Sequence, residues 1–267
     1  GRGSGLAMRR CRILSSSGRR LPVALLAMGL AAQAAYARAG EPVDAGDSRE
    51  VFSSTAPQWL RAVGRLQVPG STYHEGRRSH LREDCSATLV TRGAGRKADT
   101  VVTAWPCLVN YDDLSKPITF TLLHSRDGAL QREAYRLADG GGMHADWALL
   151  RLRRPVPADL ATALLVHPGR ADPGLAISMA GFSRDPGKGA GGEQLTFDPA
   201  CLITTQAPQS SDTDCVAHKG ASGGAVVQLS AEGTPQLSGV VSQGNGEGLS
   251  TFVPVAAFRS ALVRHLQ

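Results

Sequence analysis

The feature that most restricts the fold of this chain is a series of twelve short apolar or alternating segments, arranged in two groups of six. Clusters of Gly, Asp, Ser and Pro separate the segments, and no helical pattern lies between the groups, which predicts β-strands joined by turns. The first group covers residues 62–68, 86–91, 100–105, 118–123, 133–138 and 146–152, and the second covers 175–182, 193–197, 201–205, 224–230, 237–243 and 250–255. Two groups of this size indicate an all-β chain with two small antiparallel barrels or sandwiches.

One helix is predicted, at the C-terminal end of the sequence. It begins behind Pro254, and Val255, Phe258, Leu262 and Leu266 fall on one face at helical spacing. The polar stretch at 40–57 has no periodicity and is predicted to be flexible. The remaining patterns divide the chain into a first β-domain, a proline-rich linker, a second β-domain and the helix, at 58–154, 155–172, 173–254 and 255–267.

The first 39 residues have the three parts of a secretory signal peptide. They hold seven arginines and no acidic residue, then an apolar run over 21–37, and then small residues spaced as Ala-x-Ala. Met8 is the predicted initiator, which makes residues 1–7 an upstream remnant. A membrane anchor is the alternative, but the apolar run is shorter than the roughly 20 residues that a spanning helix needs. We therefore expect an exported protein, periplasmic or extracellular, with no membrane span after cleavage.

Removal of this segment changes the charge of the chain. The whole sequence has 29 basic and 23 acidic residues, and because the segment holds seven arginines and no acid, 22 basic and 23 acidic residues remain. The positive net charge of the whole sequence therefore belongs to the targeting segment. A near-neutral remainder gives no electrostatic reason to expect a nucleic-acid partner.

Four cysteines follow the signal segment: Cys85, Cys107, Cys201 and Cys215. An even set in an exported protein predicts disulfides, and three pairings are possible. No two of these cysteines lie within four residues of each other, which disfavours a Cys-x-x-Cys zinc knuckle, and no carboxylate cluster has calcium-loop spacing. The sequence thus predicts neither a metal nor a cofactor.

The most specific local signal is the segment Lys219-Gly-Ala-Ser-Gly-Gly-Ala-Val-Val227. A serine flanked by glycines at a sharp turn exposes its hydroxyl, and glycine tolerates the backbone angles that such turns use. The backbone N–H groups of Gly220 and Ser222 are able to converge on a developing oxyanion. Taken alone, the segment fits an ordinary Gly-rich hairpin turn equally well.

Several motifs occur together in a definite order. They are Cys-SATLV and VVTAWPC within 85–107, DWALLRL at 146–152, GASGGAVV at 220–227, SGVVSQG at 238–244, and a closing helix. In content and order they resemble the chymotrypsin/trypsin-like serine protease family, over residues 60–267. The resemblance implies two six-stranded antiparallel barrels with a C-terminal helix, and an active site in the crevice between the barrels that takes a peptide or protein.

The resemblance also assigns roles to individual residues. Ser222 matches the nucleophile, Asp146 matches the buried carboxylate, and the amides of Gly220 and Ser222 match the oxyanion hole. Ser242 and Gly244 match the segment that pairs with the substrate backbone and lines the specificity pocket.

The resemblance implies a pairing of the cysteines as well. Cys85 and Cys107 match the bridge that encloses the histidine loop of the family, which leaves Cys201 for Cys215. Closing the loop between Cys85 and Cys107 is worth about 3 kcal/mol in the chain-entropy treatment. The Asp-Cys pair ahead of the serine loop is more similar to the bacterial glutamyl-endopeptidase branch than to the animal enzymes.

One residue and one spacing differ from the animal members of the family. Ala221 stands where those enzymes have the aspartate that receives a newly cut N-terminus, and no Ile-Val-Gly-Gly-like start is present. The interval between Cys215 and Ser222 is longer than in the animal enzymes, which leaves the pocket-floor position open among residues 212–214. A trypsin-like preference for Arg or Lys is therefore unsupported.

A third difference removes the general base. The family pattern Thr-Ala-Ala-His-Cys has histidine directly before the cysteine, and this chain has Pro106 there. Proline has no ionisable group, so Ser222 is left without its activating base, a loss that costs on the order of 10⁶ in turnover in a related triad. The other basic side chains that could substitute have unfavourable sequence positions: His74, His80, His124, His144, His218 and Lys219.

Three functions remain compatible with the sequence. The favoured hypothesis is a pseudoprotease, which keeps the fold as a module that binds peptides or proteins with weak or absent activity. The second is an active serine endopeptidase that uses Ser222 and Asp146 with a non-standard base. The third is a purely structural envelope protein, which leaves the near-intact serine loop unexplained.

Overall fold

The structure is a computed structural model, and it describes residues 46–266. The predicted signal peptide at 1–39 and residues 40–45 lie outside the described residues. The described part contains one continuous sheet of fifteen strands. The strands are β1 Glu50–Val51, β2 Val63–His74, β3 Arg77–Thr91, β4 Ala98–Thr103, β5 Ile118–Ser125, β6 Gly128–Asp139, β7 Ala148–Val156, β8 Leu164–Val166, β9 Ile177–Gly181, β10 Thr196–Cys201, β11 Ile203–Gln206, β12 Ser211–Thr213, β13 Ala225–Leu229, β14 Pro235–Gly244 and β15 Ser250–Pro254.

Strands β2 to β7 form a closed antiparallel barrel in the order β3-β2-β5-β6-β7-β4, and β4 returns to β3 through the pair Thr88 and Val102. Strand β5 illustrates why these segments form a barrel wall. Its residues Ile118, Phe120 and Leu122 alternate inward and are fully buried, while the residues between them are partly exposed. The first predicted barrel is confirmed.

Strands β9 to β15 form the second barrel, in the order β10-β9-β13-β14-β15-β12-β11. Only Leu202 separates β10 from β11, so the two behave as one bent strand and the array has six strands. Strand β8 pairs in parallel with β3 of the first barrel and with β14 of the second. The segment at 155–172, predicted to be a linker, therefore contributes a strand that joins the two barrels.

The C-terminal segment is helical, as predicted. A 3-10 turn at Val255–Ala257 leads into the helix α1, Arg259–His265. The predicted apolar face is buried throughout, at Val255, Phe258, Leu262 and Leu266. Phe258 stacks on Trp147 with ring centroids 5.6 Å apart, so the helix packs against the first barrel beside Asp146. Over residues 46–266, no helix is long and apolar enough to cross a membrane.

Two disulfides connect the four cysteines as the resemblance implies. Cys85 pairs with Cys107 across Cα atoms 6.2 Å apart, and Cys201 pairs with Cys215 across Cα atoms 5.1 Å apart. The first bridge ties strand β3 to a 3-10 turn at Trp105–Leu108, which contains Pro106. The second bridge lies at the base of the serine loop. Disulfides of this kind persist in oxidising compartments.

The segment at 46–57 differs from the prediction of a flexible stretch over 40–57. Glu50 of β1 pairs with Phe197 of β10, and the side chain of Arg49 is only 2 % exposed. Arg49 forms ion pairs with Asp47 and Asp185. A strand of two residues has no detectable periodicity, which is why the polar sequence gave no sign of this order.

Candidate active site

The serine loop is a sharp turn that depends on glycine. Gly220 and Gly223 have φ values of 102° and 87°, in the left-handed region that other residues rarely adopt. A Cβ at Gly223 would lie 2.0 Å from the Ser86 carbonyl oxygen, so no side chain fits there. The loop closes through the hydrogen bond from Gly224 N to Ala221 O, 2.8 Å long. Ser222 is half-buried at the apex of this turn.

Ser86 connects the loop to the first barrel, a role that the sequence did not indicate. Its amide donates to the Ser222 carbonyl at 2.9 Å, and its hydroxyl donates to the Gly220 carbonyl at 2.9 Å. The same hydroxyl accepts a hydrogen bond from Phe182 N at 2.8 Å. Ser86 is fully buried in β3 next to Cys85. The loop is therefore held by backbone groups on both sides of the nucleophile position.

Two amides of the loop are available to an anion. Within residues 46–266, neither Gly220 N nor Ser222 N donates a hydrogen bond to a protein acceptor. Backbone N–H groups without an internal partner at such a turn are suited to stabilise an oxyanion. These are the two amides that the resemblance assigns to the oxyanion hole.

Asp146 is a buried carboxylate without a cationic partner in the described residues. Its side chain accepts a hydrogen bond from Trp105 N at 2.9 Å and another from the Ser242 hydroxyl. Burial raises the pKa of Asp146, and the two hydrogen bonds offset part of that rise. Pro106 is half-buried beside it in the Trp105–Leu108 turn and offers neither an N–H nor a basic group.

Among residues 46–266, no base is hydrogen-bonded to the hydroxyl of Ser222. Its Oγ donates to the backbone carbonyl of Ser242 at 3.0 Å. A carbonyl oxygen is far too weak a base to remove the proton, so this hydrogen bond leaves the hydroxyl un-ionised. The structure thus brings Ser222, Asp146 and Ser242 together, with Ser242 in contact with both of the other two.

In the described part of the chain, none of the alternative bases considered from the sequence is hydrogen-bonded to Ser222. His124 stacks on Phe52 at a centroid distance of 3.9 Å, and burial lowers its pKa. The remaining candidates are on exposed or partly exposed loops and hairpins, at His74, His80, His144, His218 and Lys219.

Gly244, which the resemblance assigns to the specificity pocket, is in contact with Ala217 in the segment that leads into the serine loop. A Cβ at Gly244 would lie 2.3 Å from the carbonyl oxygen of Ala217, and Gly246 N donates to that same oxygen at 2.9 Å. A side chain inserted between two such walls needs a gap of about 7 Å, which is two van der Waals contacts. The walls at Ala217 and Gly244 leave no such gap.

The candidate pocket-floor residues are engaged with neighbours. Asp212 accepts a hydrogen bond from the Thr251 hydroxyl at 3.0 Å, and Asp214 accepts one from Leu202 N at 2.7 Å. Thr213 is buried, and its hydroxyl donates to the Ser250 carbonyl. Thus residues 212–214 support the strands β11 and β15.

We expect the stability difference between Asp146→Asn and the wild type to depend on pH. The raised pKa of folded Asp146 means that ionisation disfavours the folded state, so its contribution to stability is present below the unfolded pKa and is lost as pH rises through the folded pKa. The amide does not titrate. Urea unfolding between pH 3 and pH 8 should therefore show that the free energy of unfolding of the variant increases relative to that of the wild type as pH rises.

Asp112→Asn is the matched control for this measurement. The Ser71 hydroxyl and Arg78 lower the pKa of Asp112, so its contribution is present above the unfolded pKa and is lost as pH falls. The free energy of unfolding of Asp112→Asn should therefore decrease relative to that of the wild type as pH rises. A pH-independent difference for Asp146→Asn would show that burial does not control this carboxyl.

Comparison with known proteins identifies a solved structure with a similar fold. No protein-family model matches the chain, and no curated protein matches it. Among solved structures, one titled "Structure of GrC", granzyme C, a chymotrypsin-like serine protease, aligns with a TM-score of 0.57 at 15 % identity. The alignment covers 81 % of this chain and 97 % of that chain. At this identity the likeness concerns architecture and not activity. The chain has the trypsin-like fold of two antiparallel barrels.

Proposed function

We propose that this chain is an exported protein of trypsin-like fold that binds a peptide or protein segment in the crevice between its barrels and hydrolyses it weakly or not at all. The observation that supports this most directly is the Ser222 hydroxyl, which donates to the Ser242 carbonyl while Pro106 occupies the position of the base. The contact between Ala217 and Gly244 also argues against insertion of a substrate side chain.

The crevice keeps features that suit binding. The Gly220 and Ser222 amides are available to a backbone carbonyl of a bound segment, as they would be to an oxyanion. Export is supported by the signal-like segment at 1–39 and by the two disulfides, in either a periplasmic or an extracellular location. The proposal involves no cofactor, no metal and no nucleic acid.

An active endopeptidase is the second candidate. The intact glycine geometry around Ser222 and the available oxyanion amides favour it, because a binding site and an oxyanion hole alone retain a residual rate. It needs a base that reaches Ser222 only when substrate is bound. The difference between the two candidates is therefore one of rate, and it is measurable.

We expect a fluorophosphonate probe to label Ser222 slowly or not at all, because the hydroxyl keeps its proton. The measurement follows labelling by mass spectrometry over hours, with Ser222→Ala as the blank and an active trypsin-like enzyme as the reference. Casein hydrolysis by the wild type that disappears in Ser222→Ala would contradict the proposal and establish the endopeptidase.

A further inference from the structure

A cleft beside the oxyanion amides is lined by three arginines and two carboxylates. It has a volume of about 60 Å³, and its charged lining residues are Arg65, Arg82, Arg184, Asp84 and Glu193. Gly220 forms the connection to the serine loop, because a Cβ there would lie 2.7 Å from Arg184 Cγ. The cleft therefore lies next to the Ser222 turn, and neither Ala217 nor Gly244 is among its lining residues.

Two of the three arginines already have partners. Arg65 forms an ion pair with Glu193 at 3.1 Å, and Arg82 forms one with Asp84 at 3.1 Å. Arg184 is different: its side chain has no ion pair or hydrogen bond to any residue between 46 and 266, although it is half-buried. The cleft consequently has an excess positive charge, and that charge is carried by Arg184.

The backbone fixes Arg184 in this position. Its amide donates to the Lys219 carbonyl at 2.7 Å, and its side-chain stem lies close to Gly192, where a Cβ would be 3.1 Å from Arg184 Cγ. A half-buried guanidinium without an acceptor is unfavourable, and its planar fork matches a carboxylate with two parallel hydrogen bonds.

We infer that this cleft binds a carboxylate of the segment held in the crevice, with Arg184 as the main contact. The inference rests on the proposed function and names the partner's chemistry: a peptide with an acidic side chain, or a free C-terminus, beside the residue that faces Gly220 and Ser222. The partner would thus be recognised at the cleft that contains Arg184, and not between Ala217 and Gly244.

The test uses affinity selection from two synthetic libraries of dodecapeptide amides, identical except that one replaces every Asp and Glu by Asn and Gln. The protein is the chain without residues 1–39. We expect enrichment of acidic members by the wild type, and a loss of about 10- to 100-fold in their affinity in Arg184→Gln, which corresponds to one charged bidentate contact. A third library with free C-termini and no acidic side chains distinguishes a terminal carboxylate from a side-chain carboxylate.

Three variants complete the test. Arg154→Gln removes an equal charge from an exposed arginine outside this cleft and should leave the enrichment unchanged. Arg184→Lys keeps the charge and loses the fork, so it should fall between the wild type and Arg184→Gln. Glu193→Gln removes a repulsive carboxylate from the lining and should strengthen acidic binders. The three results together separate a local contact from general electrostatic attraction.

The outcomes are distinguishable. If neither the acidic library nor the library with free C-termini is enriched over the library in which Asn and Gln replace the acids, the inference is overturned and the proposed binding function still stands. Equal effects of Arg184→Gln and Arg154→Gln would overturn it in the same way. Failure of every library to bind would contradict the proposed function itself, and this inference with it.

Discussion

Arg49→Met is expected to lower the free energy of unfolding by about 3–5 kcal/mol, the range found when one partner of a buried ion pair is removed. The Arg49 side chain is 2 % exposed and lies between two acids that are themselves about one-tenth exposed. Asp47 Oδ2 is 2.8 Å from Nη2, and Asp185 Oδ1 is 2.9 Å from Nη1. Removing the cation leaves the two carboxylates with only backbone hydrogen bonds, from Arg49 N to Asp47 and from Gly189 N to Asp185.

The geometry explains why the arginine is needed. Arg49 uses Nε, Nη1 and Nη2 in hydrogen bonds to the two carboxylates. Burial alone would raise the pKa of Asp185, but the hydrogen bonds from Arg49 and from the Gly189 amide, together with nearby positive charge, lower it to about 2. Arg49→Lys preserves the charge without the fork and should recover only part of the loss.

The same segment reaches the base of the serine loop. The Ser48 hydroxyl donates to Asp198 at 2.7 Å, and Asp198 accepts a hydrogen bond from Val216 N at 2.9 Å. Arg49 binds Asp185, and the amide of the preceding residue, Arg184, donates to the Lys219 carbonyl. These contacts connect Ser48 and Arg49 to the segments on both sides of the turn that leads into the serine loop.

The measurement is urea unfolding at pH 7, with hydrogen exchange of the amides at 215–221 as the local readout. Arg126→Met is the matched control, since Arg126 also pairs with two carboxylates, Asp127 and Asp159, but at the exposed surface. Its effect should be far smaller. Equal losses in the two variants would show that the Arg49 cluster has no special role, and unchanged exchange at 215–221 would remove its connection to the serine loop.

The longer strands were predictable because each has local evidence in the sequence. All twelve predicted segments overlap strands, since alternation between buried and exposed residues is set within a few neighbouring positions. The three strands that were not predicted have two or three residues each and are β1, β8 and β12. Strands β1 and β8 pair only with partners far along the chain, and β8 bridges Val90 and Gln236. Strand β12 pairs with its neighbour β11 and with the distant β15, but three residues are too few to show a pattern.

The candidate site was likewise predictable only in part. The positions of Ser222, Asp146 and Pro106 were indicated by motifs, and the structure places Ser222 and Asp146 on either side of Ser242. Ser86 gave no signal, because one serine in a strand becomes an anchor only through contacts to Gly220 and Phe182. The contact between the 217 and 244 segments likewise depends on loop conformation, which short motifs do not encode.

Pro106→His is expected to raise the rate at which a small fluorophosphonate labels Ser222 by about 10²–10⁴-fold, the usual contribution of a general base. In this reaction Ser222 Oγ bonds to phosphorus, fluoride leaves, and the hydroxyl proton passes to the introduced imidazole. The surroundings favour this outcome, because Asp146 lies beside position 106 with the amide of Trp105 already bound to it. A carboxylate next to an imidazole orients the ring and stabilises its charged form.

The controls separate a restored base from a changed backbone. Pro106→Ala also frees the turn and restores an N–H, yet it provides no base and should label as slowly as the wild type. The labelling rate of Pro106→His should rise with pH through the titration of an imidazole, whose ordinary pKa is about 6.5, and addition of Asp146→Asn should reduce that rate. Equal labelling of the histidine and alanine variants would show that position 106 does not face the serine.

Peptide hydrolysis by Pro106→His should remain low even when labelling is fast. The probe needs only the serine and the oxyanion amides, whereas a peptide substrate must also insert a side chain between walls that touch at Ala217 and Gly244. Casein cleavage that rises in parallel with probe labelling would mean that this slot opens on binding and that the base was the only missing part. Fast labelling without cleavage would instead identify two separate losses, the base and the specificity slot, and would account for a crevice that binds without cutting.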